Sequence, residues 1–311
     1  MKILVTGGAG FIGSHIVDAY IDAGHDVVVI DNLSTGKRGN LNPKARLFEL
    51  DICSKEASEV FEAEKPDILN HHAAQIDVRI SAEDPVFDLK VNVGGLVNLL
   101  EAGKKNGLKK VILASSGGAI YSDKAEKPST EDSLAGPLSP YGLNKLICEH
   151  YLSMYERVCG IKWVALRYAN VYGPRQNHKG EAGVVAIFID RLLSGGVPTI
   201  FGDGKQTRDY VFVEDVVEAN RLTLAEDMSG IYNVGTAVET DVNGIFSMIR
   251  ELSGASCEPK YGEKNSSELL RSSVEPKRFI EKKGWRPSVR LDDGIVKTFE
   301  WFKNKIEEEN I

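Results

Sequence analysis

Tyr141 and Lys145 stand four residues apart in Tyr141-Gly142-Leu143-Asn144-Lys145, a spacing that puts both side chains on one face of a helix. A free tyrosine, with a pKa of about 10, carries the reactive phenolate in only about one molecule in a thousand at neutral pH. An ammonium about 4 Å away at an effective dielectric of about 20 is worth roughly 4 kcal/mol, enough to lower that pKa by about three units. The pair is therefore a candidate general base, with Lys145 as the cation that makes Tyr141 one. Such spacing also occurs on ordinary solvated helix faces, so the elements around the pair decide its meaning.

The first of those elements opens the chain. Ile3-Leu4-Val5-Thr6 reads as a strand and runs into Gly7-Gly8-Ala9-Gly10-Phe11-Ile12-Gly13, after which an amphipathic helix begins. Glycines at 7, 10 and 13 permit positive φ, close backbone approach to a pyrophosphate and tight helix–sheet packing, while the helix start at Phe11 and Ile12 favours an anion. The spacing is Gly-x-x-Gly-x-x-Gly. A second strand, 26 to 30, ends in Asp31, where a carboxylate accepts hydrogen bonds from the adenosine ribose. This predicts NAD over NADP, because the carboxylate repels a 2′-phosphate, although Lys37 and Arg38 keep the second cofactor in view.

Composition sets the frame. A chain of 311 residues with 42% hydrophobic content can bury a large core and suggests two closely joined domains. The net charge of -7 offers no footprint for nucleic acid. The apolar start is cut by glycines after a few residues and no apolar run approaches a membrane span, so the expected location is cytoplasmic. Cys53, Cys148, Cys159 and Cys257 are scattered without Cys-x-x-Cys spacing, which predicts reduced thiols rather than a metal site. His71 and His72, adjacent on a predicted strand, point to opposite faces and cannot grip one metal together.

Short β-rich runs at 46–50, 67–70, 111–114 and 163–167 alternate with helical patterns, which predicts an α/β fold with a doubly wound parallel sheet. Val86, Leu89, Val93, Leu96, Leu99 and Leu100 form one helical stripe, and Leu143, Leu146, Ile147, Tyr151 and Met154 another. From about Tyr172 the pattern shifts to shorter strands and helices. The expected division is a dinucleotide-binding domain over 1–171 and a smaller mixed α/β substrate domain over 172–311, with part of 210–235 returning to the first.

These motifs together resemble the extended short-chain dehydrogenase/reductase family, in its UDP-glucose 4-epimerase branch. The resemblance covers nearly the whole chain and includes Asp31-Asn32-Leu33, the run from Ser115 to Tyr121, Arg167-Tyr168-Ala169-Asn170-Val171-Tyr172-Gly173-Pro174-Arg175, and the run from Arg208 to Asp215. It implies an NAD-dependent 4-epimerase of UDP-sugars, interconverting UDP-glucose and UDP-galactose or their N-acetylated forms, and a homodimer formed through the two striped helices. It assigns Gly7, Gly10, Phe11, Ile12, Gly13, Asp31, Asn32, Ser34, Asp51, Ile52, Ala73, Ala74, Asn92, Ser115, Tyr141, Lys145 and Tyr168 to the cofactor. Asn92 matches the asparagine that supports the catalytic lysine through water.

For catalysis the resemblance implies Tyr141, Lys145 and a serine hydroxyl. Four residues before Tyr121, where the family often has Ser or Thr, stands Gly117, so the hydroxyl is Ser116 with a one-residue bulge, or else Ser115. Asn170 and Arg208 fall at the substrate pyrophosphate. Where the family has an arginine followed by Gly-Asp, this chain reads Asn265-Ser266-Ser267-Glu268, so Glu268 is the candidate for the uridine ribose, and either Arg271 or a different loop path makes up for the missing cation. Ser272 falls at the position whose bulk limits the sugar pocket, and its small size predicts room for an N-acetyl group. A 4,6-dehydratase needs an Asp-Glu pair where Gly117 and Gly118 stand. A reductase, a UDP-glucuronate epimerase and a non-catalytic dinucleotide sensor are the other readings.

Overall fold

Val27, Val28, Val29 and Ile30, like Ile3, Leu4 and Val5, are apolar on both faces, the signature of strands covered on both sides. The computed structural model describes residues 1–178, 183–263 and 269–309. It opens with β1 (Lys2–Thr6), α1 (Phe11–Asp22), β2 (Asp26–Ile30), β3 (Arg46–Phe48), α2 (Lys55–Glu64) and β4 (Ile68–His71). Two short helices come next, α3 (Val78–Glu83) and α4 (Pro85–Leu89), then a π turn (Lys90–Gly94) and α5 (Gly95–Lys105). Beyond them lie β5 (Lys110–Ser116), α6 (Pro140–Cys159), β6 (Lys162–Tyr168), β7 (Asn170–Tyr172) and α7 (Val184–Leu193). The rest comprises β8 (Thr199–Phe201), β9 (Thr207–Phe212), α8 (Val213–Thr223), β10 (Gly230–Val234), β11 (Glu239–Asp241), α9 (Val242–Ser253), β12 (Lys260–Gly262), β13 (Arg271–Ser272), α10 (Lys277–Lys283) and α11 (Leu291–Glu309).

Seven strands form one sheet in the order β10-β6-β5-β4-β1-β2-β3, and the run from β5 to β3 pairs in parallel. The order reverses between β1 and β4, which opens a crevice at their carboxyl ends, the usual place for a ligand in such sheets. Leu4, Val28, Leu69, Val111 and Leu113 pack with Phe61, Leu96, Leu99, Leu100 and Leu152 into one core layer. At about 25 cal/mol per Å², each such side chain contributes roughly 1.5–3 kcal/mol.

The stripe after Pro85 is not one helix. The π turn inserts an extra residue, so Val86 and Leu89 before it are exposed while Leu96, Leu99 and Leu100 after it are buried. Asp84 caps α4 by accepting from Phe87 N, and Pro85 occupies the first turn, where its missing N–H costs nothing.

The chain divides into two units, one of residues 1–122, 135–167 and 217–232 and the other of 123–134, 168–216 and 233–311. A cut at 171 misses the segment 123–134, which joins the second unit. Ser129 N donates to Ser273 O at 2.9 Å, Glu275 N to Ser129 O at 2.8 Å, and Asn233 N to the Glu131 carboxylate at 2.8 Å. Within the second unit, β9 lies between β11 and β13 and also pairs with β7.

Candidate active site

The glycine turn is built by contacts that exclude side chains. Gly7 has φ +67°, and a Cβ there would lie 2.7 Å from Ala73 N; a Cβ on Gly13 would lie 2.2 Å from Gly7 O. The loops after β1 and β4 therefore touch through bare backbone. The Thr6 hydroxyl accepts from His72 N and Ala73 N, each at 3.2 Å, which leaves its proton for His71 Nδ1 at 2.8 Å. Burial, with the nearby Lys145 charge, pushes His71 and His72 down to about 3, so both rings are neutral. Among the described residues no cluster of His, Cys, Asp or Glu suits a metal ion.

Helix α1 has Gly10 as its N-cap and no side-chain acceptor there, so the amides of its first turn at Phe11, Ile12 and Gly13 are not closed off by a capping group. Asp31, buried at the end of β2, accepts from Ala9 N at 2.9 Å and Leu33 N at 2.8 Å. It thus shapes the glycine turn, a task its position in the sequence did not reveal, and each oxygen retains a lone pair for a further donor. Asn32 accepts from Ser34 N, and Asp51 from Cys53 N. Ile52 is buried against Gly95, where a Cβ would come 2.5 Å from its Cδ1. Arg38 is engaged by Glu49, which weakens the case for a 2′-phosphate there.

Ser139 caps α6 by accepting from Gly142 N at 3.1 Å, and Pro140 sits in its first turn. Lys145 is 4% exposed, and its Nζ donates to Ala114 O at 3.0 Å and lies 5.8 Å from the centre of the Tyr141 ring. Burial lowers the pKa of Lys145, while the charges of Asp88 and Glu149 act in the opposite sense. Gly142, not singled out from the sequence, brings the helix onto the β5 loop: a Cβ there would lie 2.3 Å from Ala119 O. A glycine inside a helix costs about 1 kcal/mol, and that cost was the available signal.

The two candidate serines are separated by their neighbours. Ser115 Oγ donates to Glu149 at 2.6 Å, and Glu149 is held bidentately by Arg167 at 2.9 and 2.6 Å. The Arg167 guanidinium lies 4.9 Å from the centre of the Tyr121 ring. Strand alternation turns Ser116, the last residue of β5, away from Glu149, and the chain turns over 117–119 immediately after it. Glu149 was also legible in principle, being eight residues past Tyr141 on the same helical face. Asn92, expected beside the lysine through water, has its amide on the backbone N and O of Gln75, at 2.9 and 3.0 Å, and on Asp88. Ala73 and Ala74 lie in the loop this asparagine holds.

The candidates for substrate lie in the second unit, as does Tyr168. Asn170 opens β7 opposite Tyr210, and Arg208 sits in β9 between Thr240 and Ser272. Arg208 Nη1 donates to Thr207 O at 2.8 Å. Its neighbour Asp209 is buried and accepts from Thr236 N, Thr236 Oγ1 and Ala237 N, so it ties the strands rather than pairing with Arg208. Arg271, expected to replace the missing cation, is engaged bidentately by Glu239 at 2.6 and 2.9 Å and holds that carboxyl down to about 2. Ser272 is buried. Glu268 lies outside the described residues.

A glycine-bound helix start at the switch point of a parallel sheet, with a half-buried tyrosine beside a buried lysine on a neighbouring helix, defines a dinucleotide-binding α/β protein of the short-chain dehydrogenase/reductase type. The chain belongs to the NAD dependent epimerase/dehydratase family, whose model matches residues 3–235. A UDP-glucose 4-epimerase of Mycolicibacterium smegmatis is 44% identical over 313 residues, covering 98% of this chain and 99% of the relative. The crystal structure of a UDP-glucose 4-epimerase with UDP-glucose from Thermotoga maritima is 45% identical, with TM-score 0.96 over 98% of this chain and 100% of that one. That of a Thermus thermophilus UDP-glucose 4-epimerase in complex with NAD is 43% identical, with TM-score 0.92 over 97% and 99%. The bare-backbone cradle at Gly7 and Gly13, the helix start without a capping side chain, and the buried Asp31 fit the pyrophosphate and ribose of NAD.

Proposed function

We propose that this protein is an NAD-dependent UDP-sugar 4-epimerase that interconverts UDP-glucose and UDP-galactose through a 4-keto sugar. The observation that carries the reading is the half-buried Tyr141 beside the buried Lys145, next to a β5 end at which Ser115 is already bonded to Glu149 and two glycines replace the acid pair of a dehydratase. A bound NAD would supply the hydride acceptor and donor for sugar C4. Tyr141 removes the 4-hydroxyl proton and later gives it back, Ser116 hydrogen-bonds the same oxygen, and Lys145 keeps the phenolate accessible and holds the nicotinamide ribose. The amides of Phe11, Ile12 and Gly13 take the dinucleotide pyrophosphate, and Asp31 the adenosine ribose. Asn32, Ser34, Asp51, Ile52, Ala73, Ala74 and Tyr168 border the cofactor, and Asn170 and Arg208 hold the substrate pyrophosphate.

Purified protein, incubated without added cofactor with UDP-glucose, UDP-N-acetylglucosamine and UDP-glucuronate, is expected to yield the C4 epimer of the first. Net consumption of NAD, or no epimer from any of the three, would overturn the reading. Conversion of the N-acetylated sugar would support the small Ser272 pocket. Ser116→Ala is expected to lower kcat by about a hundredfold with KM little changed, while Ser115→Ala acts mainly on stability; an unchanged kcat for the first would remove Ser116 from its role.

Location in the cytoplasm is part of the same proposal; among the described residues no helix is long and apolar enough to cross a membrane. So is a homodimer through α4 and α6, supported by exposed Val86, Phe87 and Leu89 on one and Leu143, Met154 and Val158 on the other. Sedimentation velocity at micromolar concentration should show two copies together, and a lone monomer would remove that part.

A further inference from the structure

Asp88, at the fourth position of α4, is a fully buried carboxylate that the proposed chemistry does not use. Its oxygens accept from three side-chain amides, Asn144 Nδ2 at 2.6 Å, Gln75 Nε2 at 2.8 Å and Asn92 Nδ2 at 3.1 Å. Among the described residues no lysine, arginine or histidine nitrogen forms an ion pair with it. Amide donors satisfy the lone pairs of an anion without cancelling its charge. The three donors come from the loop after β4, the π turn and α6, and Asn144 directly precedes Lys145.

Lys145 has the complementary need. Its ammonium is buried and its hydrogen bond goes to a neutral carbonyl, Ala114 O, so an ionised form requires an anion nearby. The charged and titratable groups that face it are Tyr141, Cys148 and Glu149 on its own helix, Asp88 on α4, His71 at the end of β4 and His72 just after it. Glu149 is neutralised by Arg167. Both imidazoles are neutral, and burial pushes the Cys148 thiol up to about 11. Asp88 is the net negative charge that this set retains.

We propose that Asp88 is a positioning residue that supplies the counter-charge for Lys145 and, through Asn144, Asn92 and Gln75, locks the helix bearing the Tyr141–Lys145 pair to the loop after β4. The catalytic arm of its test rests on the epimerase reading; the spectroscopic arm does not. A fixed anion favours the protonated form of every neighbour, so its removal makes Lys145 and Tyr141 both lose their protons at lower pH.

Asp88→Asn keeps the shape and removes the charge. The pH profile of kcat for this variant is expected to move both limbs about one unit to lower pH, and the 13Cε resonance of Lys145, assigned with Lys145→Arg, to titrate earlier by a similar amount. Gln75→Ala removes one donor and keeps the charge, so both limbs should stay within about 0.2 unit of wild type. A fall in kcat with neither limb nor resonance displaced would leave Asp88 a structural residue only and overturn the proposal. Should Asp88→Asn not fold, the wild-type resonance decides: a Lys145 already neutral at pH 7 overturns it, and one still charged supports it. Wild type inert on every UDP-sugar would sink the epimerase reading, while the displacement of the Lys145 resonance would still decide the role of Asp88.

Discussion

Replacing Tyr141 with Phe is expected to cut kcat by at least about a hundredfold, the scale of a lost acid–base group, while leaving the cofactor in place. The two halves of that expectation come from separate parts of the fold. Tyr141 lies in the first turn of α6, whereas the glycine cradle depends on Gly7, Gly13 and Ala73 and owes nothing to the phenol. The measurement is single-turnover epimerisation alongside the amount of nucleotide released on denaturing the purified protein. An unchanged rate removes Tyr141 from its role; loss of nucleotide along with the rate means the substitution disturbed the cradle instead.

The second large effect is on stability. Arg167→Met removes the cation from a pair in which both partners are buried, at 4% and 3% side-chain exposure, and leaves Glu149 with Ser115 as its remaining partner. Breaking a buried pair from one side costs about 3–5 kcal/mol, because the orphaned charge stays desolvated. For a chain of this size that corresponds to a fall in Tm of about 10 °C. Combining it with Glu149→Met should recover part of the loss, since no charge is then stranded. A single variant within about 1 kcal/mol of wild type would show that water reaches the pair.

How much was legible in the sequence depends on how far apart the cooperating residues lie. Gly7, Gly10 and Gly13 lie within one turn, and Tyr141 and Lys145 within another, so local spacing was enough to bring each set together. The strand and helix alternation gave the sheet. The assignment of Asn92 failed to see its actual partners, because Gln75, Asp88 and Asn144 meet only after three segments fold together. Arg271 illustrates the same limit: in the sequence it reads as a stand-in for the missing cation, and its partner Glu239, 32 residues away, is visible only in the fold. The stripe after Pro85 reads as one uninterrupted period, and no residue type announces the π turn that breaks it.

That π turn restricts evolution in an unusual way. Chain length normally drifts at loops, where a gained or lost codon is absorbed, but this extra residue sits inside a helix and sets the angle between the helical turns on its two sides. Shortening the segment from Lys90 to Gly94 by one residue would restore ordinary winding and swing Asp88 roughly 100° around the axis. Its three amide partners would then face the wrong side. Reading-frame length at this spot is therefore under the same constraint as the identity of the side chains it presents.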